Sequence, residues 1–164
     1  MHRDDVDLIV AAWRRERPDL DVQPLEVLSR VTRLARHLDL ARAQAFDAHD
    51  LDGWEFDVLA ALRRAGEPYS LSPGQLATQT MVTSGTMTNR VDRLVERGFV
   101  ERSPDPSDRR GVRVQLTETG LLAVDGAFSD LLKREHSLLD SLDEDQRAGL
   151  ANLLHDLMAQ FTTR

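Results

Sequence analysis

Apolar residues along this chain recur mostly at three- and four-residue intervals, the spacing of an amphipathic helix, and switch to strict alternation in only one place. In "DDVDLIVAAWRRER" the apolar positions are Val6, Ile9, Val10 and Trp13, and Pro18 ends the run. Leu25, Leu28, Val31, Leu34 and Leu38 make one stripe on a longer helix over residues 24–49, with Pro24 in its first turn. "DGWE" opens a third helix, with Asp52 as its cap and Glu55 three residues on, as a capping box requires. Phe56, Leu59, Ala60 and Leu62 give it an apolar face and Gly66 stops it. "SPGQLATQT" predicts a short helix capped by Ser72, with Pro73 at its first position. After a break near Met81 and Val82, "TSGTMTNRVDRLVERG" predicts a helix from a Thr83 or Ser84 cap to a Gly98 stop. "FVERS" then predicts a strand, and "VRVQL", alternating apolar and polar, a second one across a turn rich in proline and aspartate. Beyond "TETG" a helix is expected over 118–139, and Asp143 caps a last one whose stripe is Leu150, Leu153, Leu154, Leu157, Met158 and Phe161.

Two short helices joined by a tight turn and followed at once by a hairpin describe a winged helix-turn-helix. The predicted fold class is therefore mainly α with a small β-hairpin wing, the N- and C-terminal helices forming a dimerisation region. The expected division is 1–50 for N-terminal dimerisation helices, 51–116 for the DNA-binding domain, and 117–164 for C-terminal dimerisation helices.

Residues 83–98, placed at about 100° per residue from Met87, sort into faces. Met87, Val91, Leu94 and Val95 form the side expected to be buried. Thr86, Asn89, Arg93 and Arg97 form an opposite side without an acid, flanked by Asp92 and Glu96. Arg90 falls on the seam between them. Such a polar, basic face suits phosphates and base edges in a major groove. Thr83 and Ser84 at the helix start belong to the same candidate surface, and Gly85 leaves room for a close backbone approach.

Charge sharpens this picture. The chain's formal net charge is −7, yet residues 83–113 hold seven arginines and five acids, +2, which leaves −9 for the rest. Arg109 and Arg110 sit at the hairpin tip beside Asp108, placed to enter an adjoining minor groove, where a narrow groove's negative potential attracts arginine. A solvated turn is the plainer account of "DRRG" taken alone.

Other classes find little support. No cysteine is present, so disulfides and thiol redox chemistry are out. The five histidines are scattered, and no metal site or cofactor is expected. No apolar run has the length of a membrane span and the start does not resemble a signal peptide, so the expected location is cytoplasmic. There is no glycine-rich phosphate loop, nucleophile elbow or paired-histidine motif, so no catalytic residue is expected. A helical protein-interaction module is the remaining rival; salt-sensitive binding to duplex DNA separates it from a regulator.

The stretch "TSGTMTNRVDRLVERGFVERSPDPSDRRGVRVQLTETG" resembles the recognition helix, wing and exit of the MarR family of bacterial transcription regulators, and the likeness runs from about residue 25 to the end. It implies a homodimer that reads a pseudo-palindrome in double-stranded DNA, with Asp108 and Arg110 as the wing pair and Thr86, Asn89 and Arg93 on the groove face. "WRRERPDLDVQPLEV" resembles the urate-responsive PecS and HucR branch. That likeness implies a small anionic ligand such as urate, held by Trp13, Asp57 and Arg90 in a pocket that residues 1–50 cover, that releases a repressor from DNA. The branch's pocket asparagine has no counterpart here; Arg63, Arg64 and Ala65 occupy its region. Another small organic acid or aromatic carboxylate stays open as the effector. So do the plainer roles, Trp13 as a helix anchor, Trp54 as core, and Asp57 with Arg90 as a structural salt bridge.

Overall fold

A computed structural model describes residues 3–106 and 108–161, and the side chains of residues 109 and 110 lie outside that description. Among the described residues the order is α1 (Asp5–Glu16), α2 (Gln23–Asp47), α3 (Gly53–Arg64), β1 (Ser70–Leu71), α4 (Pro73–Gln79), α5 (Ser84–Glu96), β2 (Val100–Asp105), β3 (Asp108–Leu116), α6 (Glu118–Leu138) and α7 (Glu144–Ala159). The helices start where short polar side chains take up unpaired amides. Ser72 accepts from Gln75 N, Thr83 from Thr86 N, Thr117 from Gly120 N, and Asp143 from Gln146 N. Thr83, not Ser84, is thus the cap of α5.

The strands form an antiparallel sheet in the order β1-β3-β2, with Val100 opposite Leu116 and Ser70 opposite Gln115. β1 was not predicted: two residues are too few to show alternation. Arg113 ties it to the wing, donating from Nε to Ser70 Oγ at 3.1 Å and from Nη2 to the Ser70 carbonyl at 2.8 Å.

The chain divides into two compact units, Met1–Gln44 and Ala45–Arg164, so residues 51–116 and 117–164 share one unit. In the first, Val6, Val10 and Val22 pack with Leu25, while Arg30 bridges Asp4 and Asp7. In the second, the core joins Phe46, Leu59, Leu62, Leu76, Met87, Leu94, Val114 and Val124, and Phe46 stacks on Phe56 at 4.1 Å. The "LTETG" exit is explained by packing at the start of α6. Thr117 Oγ1 donates to the Gly98 carbonyl at 2.7 Å, and a Cβ on Gly120 would stand 2.0 Å from the Phe99 carbonyl oxygen. α7 has no buried residue; Leu153, Met158 and Phe161 are exposed. No described helix is long and apolar enough to cross a membrane.

Candidate nucleic-acid interface

α5 presents the faces that helical geometry requires. Met87, Val91 and Leu94 are buried, while Thr86, Asn89 and Arg93 are exposed. Val95, expected on the buried side, is exposed at its margin. Gly85 has nothing within 4 Å of the place a Cβ would take, so this first turn is open. Asp92, on the flank, accepts from Arg102 of β2 at 2.6 Å and fixes the wing's first strand to the helix.

The last turn of α5 departs from expectation. Arg97 is not left on the groove face. Its guanidinium binds the Glu55 carboxylate and, at 2.6 Å, Asp50 Oδ2, and it also donates to the Asp50 carbonyl. Glu55 is fully buried, and such a carboxylate needs a cation. Hydrogen bonding to Glu55, reinforced by the charges of Glu55, Asp50 and Asp52, holds Arg97 protonated even more firmly than a free arginine. Arg97 therefore anchors α5 to the start of α3. Nothing local in sequence announces this, because the partners lie 42 and 47 residues away.

Trp54, expected as core, is half-buried at the edge of the core and carries arginines. The Cζ atoms of Arg93 and Arg90 lie 4.8 and 5.4 Å from its ring centroid. Its indole N–H donates to Asp52 Oδ2 at 3.1 Å. Arg90 is half-buried, as its seam position predicts, and Asp57 is exposed. Asp57 stands one turn beyond Trp54 on α3. Trp13 lies on α1, half-exposed, beside a hollow lined by Leu20, Val22, Pro24 and Leu25.

At the wing, Asp108 is exposed at the start of β3; the side chains of Arg109 and Arg110 fall outside the described residues. Among the described residues no cluster of histidine and acidic side chains could hold a metal ion.

A helix-turn-helix with an exposed, acid-free recognition face and a wing tied to it defines a DNA-binding regulator of transcription. Comparison with known proteins agrees. Residues 49–111 match the MarR family. The chain is 38% identical to the HTH-type transcriptional regulator PecS of Dickeya dadantii, over 92% of this chain and 90% of that protein. It is 33% identical to the HTH-type transcriptional repressor NicR of Pseudomonas putida, over 85% and 89%. A mutant MarR of E. coli solved in complex with operator DNA is 28% identical with a TM-score of 0.68, covering 85% of this chain and 99% of that one. BpsR of Bordetella bronchiseptica, solved in work on the regulation of its DNA binding by 6-hydroxynicotinic acid, is 26% identical with a TM-score of 0.64, covering 80% and 91%. The chain belongs to the MarR family, which are transcription regulators and not enzymes.

Proposed function

We propose that this regulator is a repressor that binds a pseudo-palindromic operator as a homodimer and is released by a small anionic ligand. The observation that carries the reading is the open outer face of α5, Thr86, Asn89 and Arg93, on a helix-turn-helix whose relative was solved on operator DNA. In a two-fold dimer the paired recognition helices would sit about 34 Å apart, one duplex turn. Thr83 and Ser84, at the amide end of α5, suit phosphates. The wing residues Asp108, Arg109 and Arg110 would enter the flanking minor groove.

The ligand reading centres on Arg90. It lies on α5 and shares the Trp54 ring with Arg93, so an anion that engages it acts directly on the recognition helix. Asp57 would repel the same anion and drive the shift. Trp13 takes the part of aromatic cover, which the likeness to the urate-responsive branch gives it. The ligand weakens DNA binding only by the difference in its affinity for the two states; ~2 kcal/mol would be about thirtyfold. Urate is the first candidate. The second is a hydroxypyridine carboxylate, favoured by the BpsR relative and its 6-hydroxynicotinic acid.

The test is a gel-shift titration at one salt concentration on the intergenic DNA beside the gene, with urate and 6-hydroxynicotinate added separately. Release by one and not the other chooses between them. Asp57→Asn should keep DNA binding and blunt release, and Arg93→Ala should weaken DNA binding by ~1–3 kcal/mol. Ligand should quench indole emission in Trp54→Phe, where Trp13 is the only tryptophan left; no quenching there takes Trp13 out of the pocket. If neither compound acts up to about 1 mM, where binding is worth only ~4 kcal/mol, both are excluded as effectors.

A further inference from the structure

We infer that Trp54 is a positioning residue for operator recognition, its ring holding Arg93 in place before DNA arrives. The inference deepens the reading of α5 above and rests on Arg93 meeting the groove. Core packing alone does not account for what surrounds this indole. A ring that only filled space would be satisfied by carbon neighbours. This one is half-buried, its N–H is fixed by the carboxylate of Asp52 at 3.1 Å, and two guanidinium groups of the recognition helix lie over it.

The electrostatics favour that arrangement. The negative face of an indole attracts a cation more strongly than any other side-chain ring does. Asp52 Oδ2 stands 3.9 Å from Arg93 Nη2 and adds a second, weaker hold. Arg93 nonetheless keeps 61% of its side-chain surface in solvent. A guanidinium held over a ring still has N–H donors at its edge, the geometry that guanine O6 and N7 accept. An arginine on a bare helix face samples many rotamers and loses them on binding; one already held against a fixed ring loses fewer. Leu94 and Val91 anchor the helix beneath, so ring and arginine keep their register. Trp54 thus sets the aim of Arg93 without touching DNA.

The experiment compares a duplex selected by the wild-type protein from a random pool with a random-sequence duplex of equal length, at several salt concentrations. Trp54→Leu should weaken binding to the selected duplex about tenfold, change binding to the random duplex less than twofold, and leave the salt slope unaltered. Trp54→Phe, which restores an aromatic face, should recover most of the loss. In an Arg93→Ala background, Trp54→Leu should add less than twofold. Equal affinity of Trp54→Leu and wild type, or a full further tenfold loss in the Arg93→Ala background, would overturn the inference. So would equal losses on both duplexes. If Arg93→Ala itself has no effect, the groove role of Arg93 fails first, and that outcome is distinct. Should Trp54→Leu not fold, emission of Trp54 in free Trp13→Phe protein decides the matter. Arg93→Ala must change its intensity, and no change overturns the stacking.

Discussion

Glu55 is the residue on which the seating of the recognition helix turns. Its side chain is fully buried, and Oε2 accepts both the Asp52 amide at 2.9 Å and the Arg97 guanidinium. Among the described residues its other oxygen has no hydrogen-bond partner. A buried carboxylate in this state depends on its one cation, because desolvation costs several kcal/mol that only pairing offsets. Arg97→Ala should therefore destabilise the fold by about 2–4 kcal/mol, at the lower side of the buried-pair range because Arg97 is itself 30% exposed. Glu55→Gln keeps the shape and the acceptor for Asp52 but leaves no charge to strand. In that background Arg97→Ala should cost about 1 kcal/mol or less, the value of an ordinary hydrogen bond. Urea denaturation of the four proteins at one concentration measures the cycle; additive losses would show that the pair is not coupled. Arg97→Ala should also weaken DNA binding, through a misplaced α5 and not through a lost groove contact.

At the scale of elements, α6 is pinned to the winged domain at both its start and its middle. Gly120 admits the Phe99 carbonyl, Asp125 pairs with Arg63 of α3 at 2.8 Å, and Asp130 meets His49 at 2.9 Å beside Lys133. Hydrogen bonds from Lys133 first, and from His49, lower the Asp130 carboxyl to about 2. A carboxyl whose pKa is depressed in the folded state contributes stability above its unfolded pKa and loses it as pH falls through the folded value. The Tm difference between wild type and Asp130→Asn should thus be constant at neutral pH and shrink between roughly pH 4 and pH 2. A difference that persists at pH 2 would assign the effect to shape alone. The elements were mostly legible in the sequence, because caps, prolines and glycines act locally: Ser72, Thr83 and Asp143 cap as their spacing predicts. The buried side of α5 was legible for Met87, Val91 and Leu94, since 3.6-residue periodicity carries it. What escaped depends on contacts between distant segments. β1 exists only because β3 lies beside it, Arg97 is claimed by residues over 40 positions away, and the arginines on Trp54 come from another helix. The wing arginines were read from a turn and an alternating strand, whereas the ligand residues rest on resemblance, which periodicity cannot supply.

The molecule as a whole carries more apolar surface than either unit covers. In the first unit Leu8, Val27, Leu28 and Leu40 are more than half exposed; in the second, Leu122, Leu153, Met158 and Phe161 are 58–75% exposed. Exposed apolar side chains of this kind, on a chain of net charge −7, suit an interface, and in the proposed homodimer a two-fold partner would present the same residues in return. The charge pattern agrees with that use. Residues 83–113 sum to +2 against −9 elsewhere, so long-range repulsion orients the recognition surfaces toward DNA and the remainder away from it. Sedimentation equilibrium at micromolar concentration should give twice the 18.5 kDa chain mass. Leu153→Asp with Leu157→Asp should convert the dimer to monomer, because two charges per chain would enter an apolar contact. Neither site is buried within the single chain, so a folded monomer should survive and circular dichroism should stay helical. The same variant should lose most of its operator affinity with every α5 side chain intact, because two linked half-sites bind far more tightly than one. A wild-type monomer at micromolar concentration, or a dimer indifferent to both aspartates, would remove the basis for reading a pseudo-palindrome and leave α5 to a single half-site.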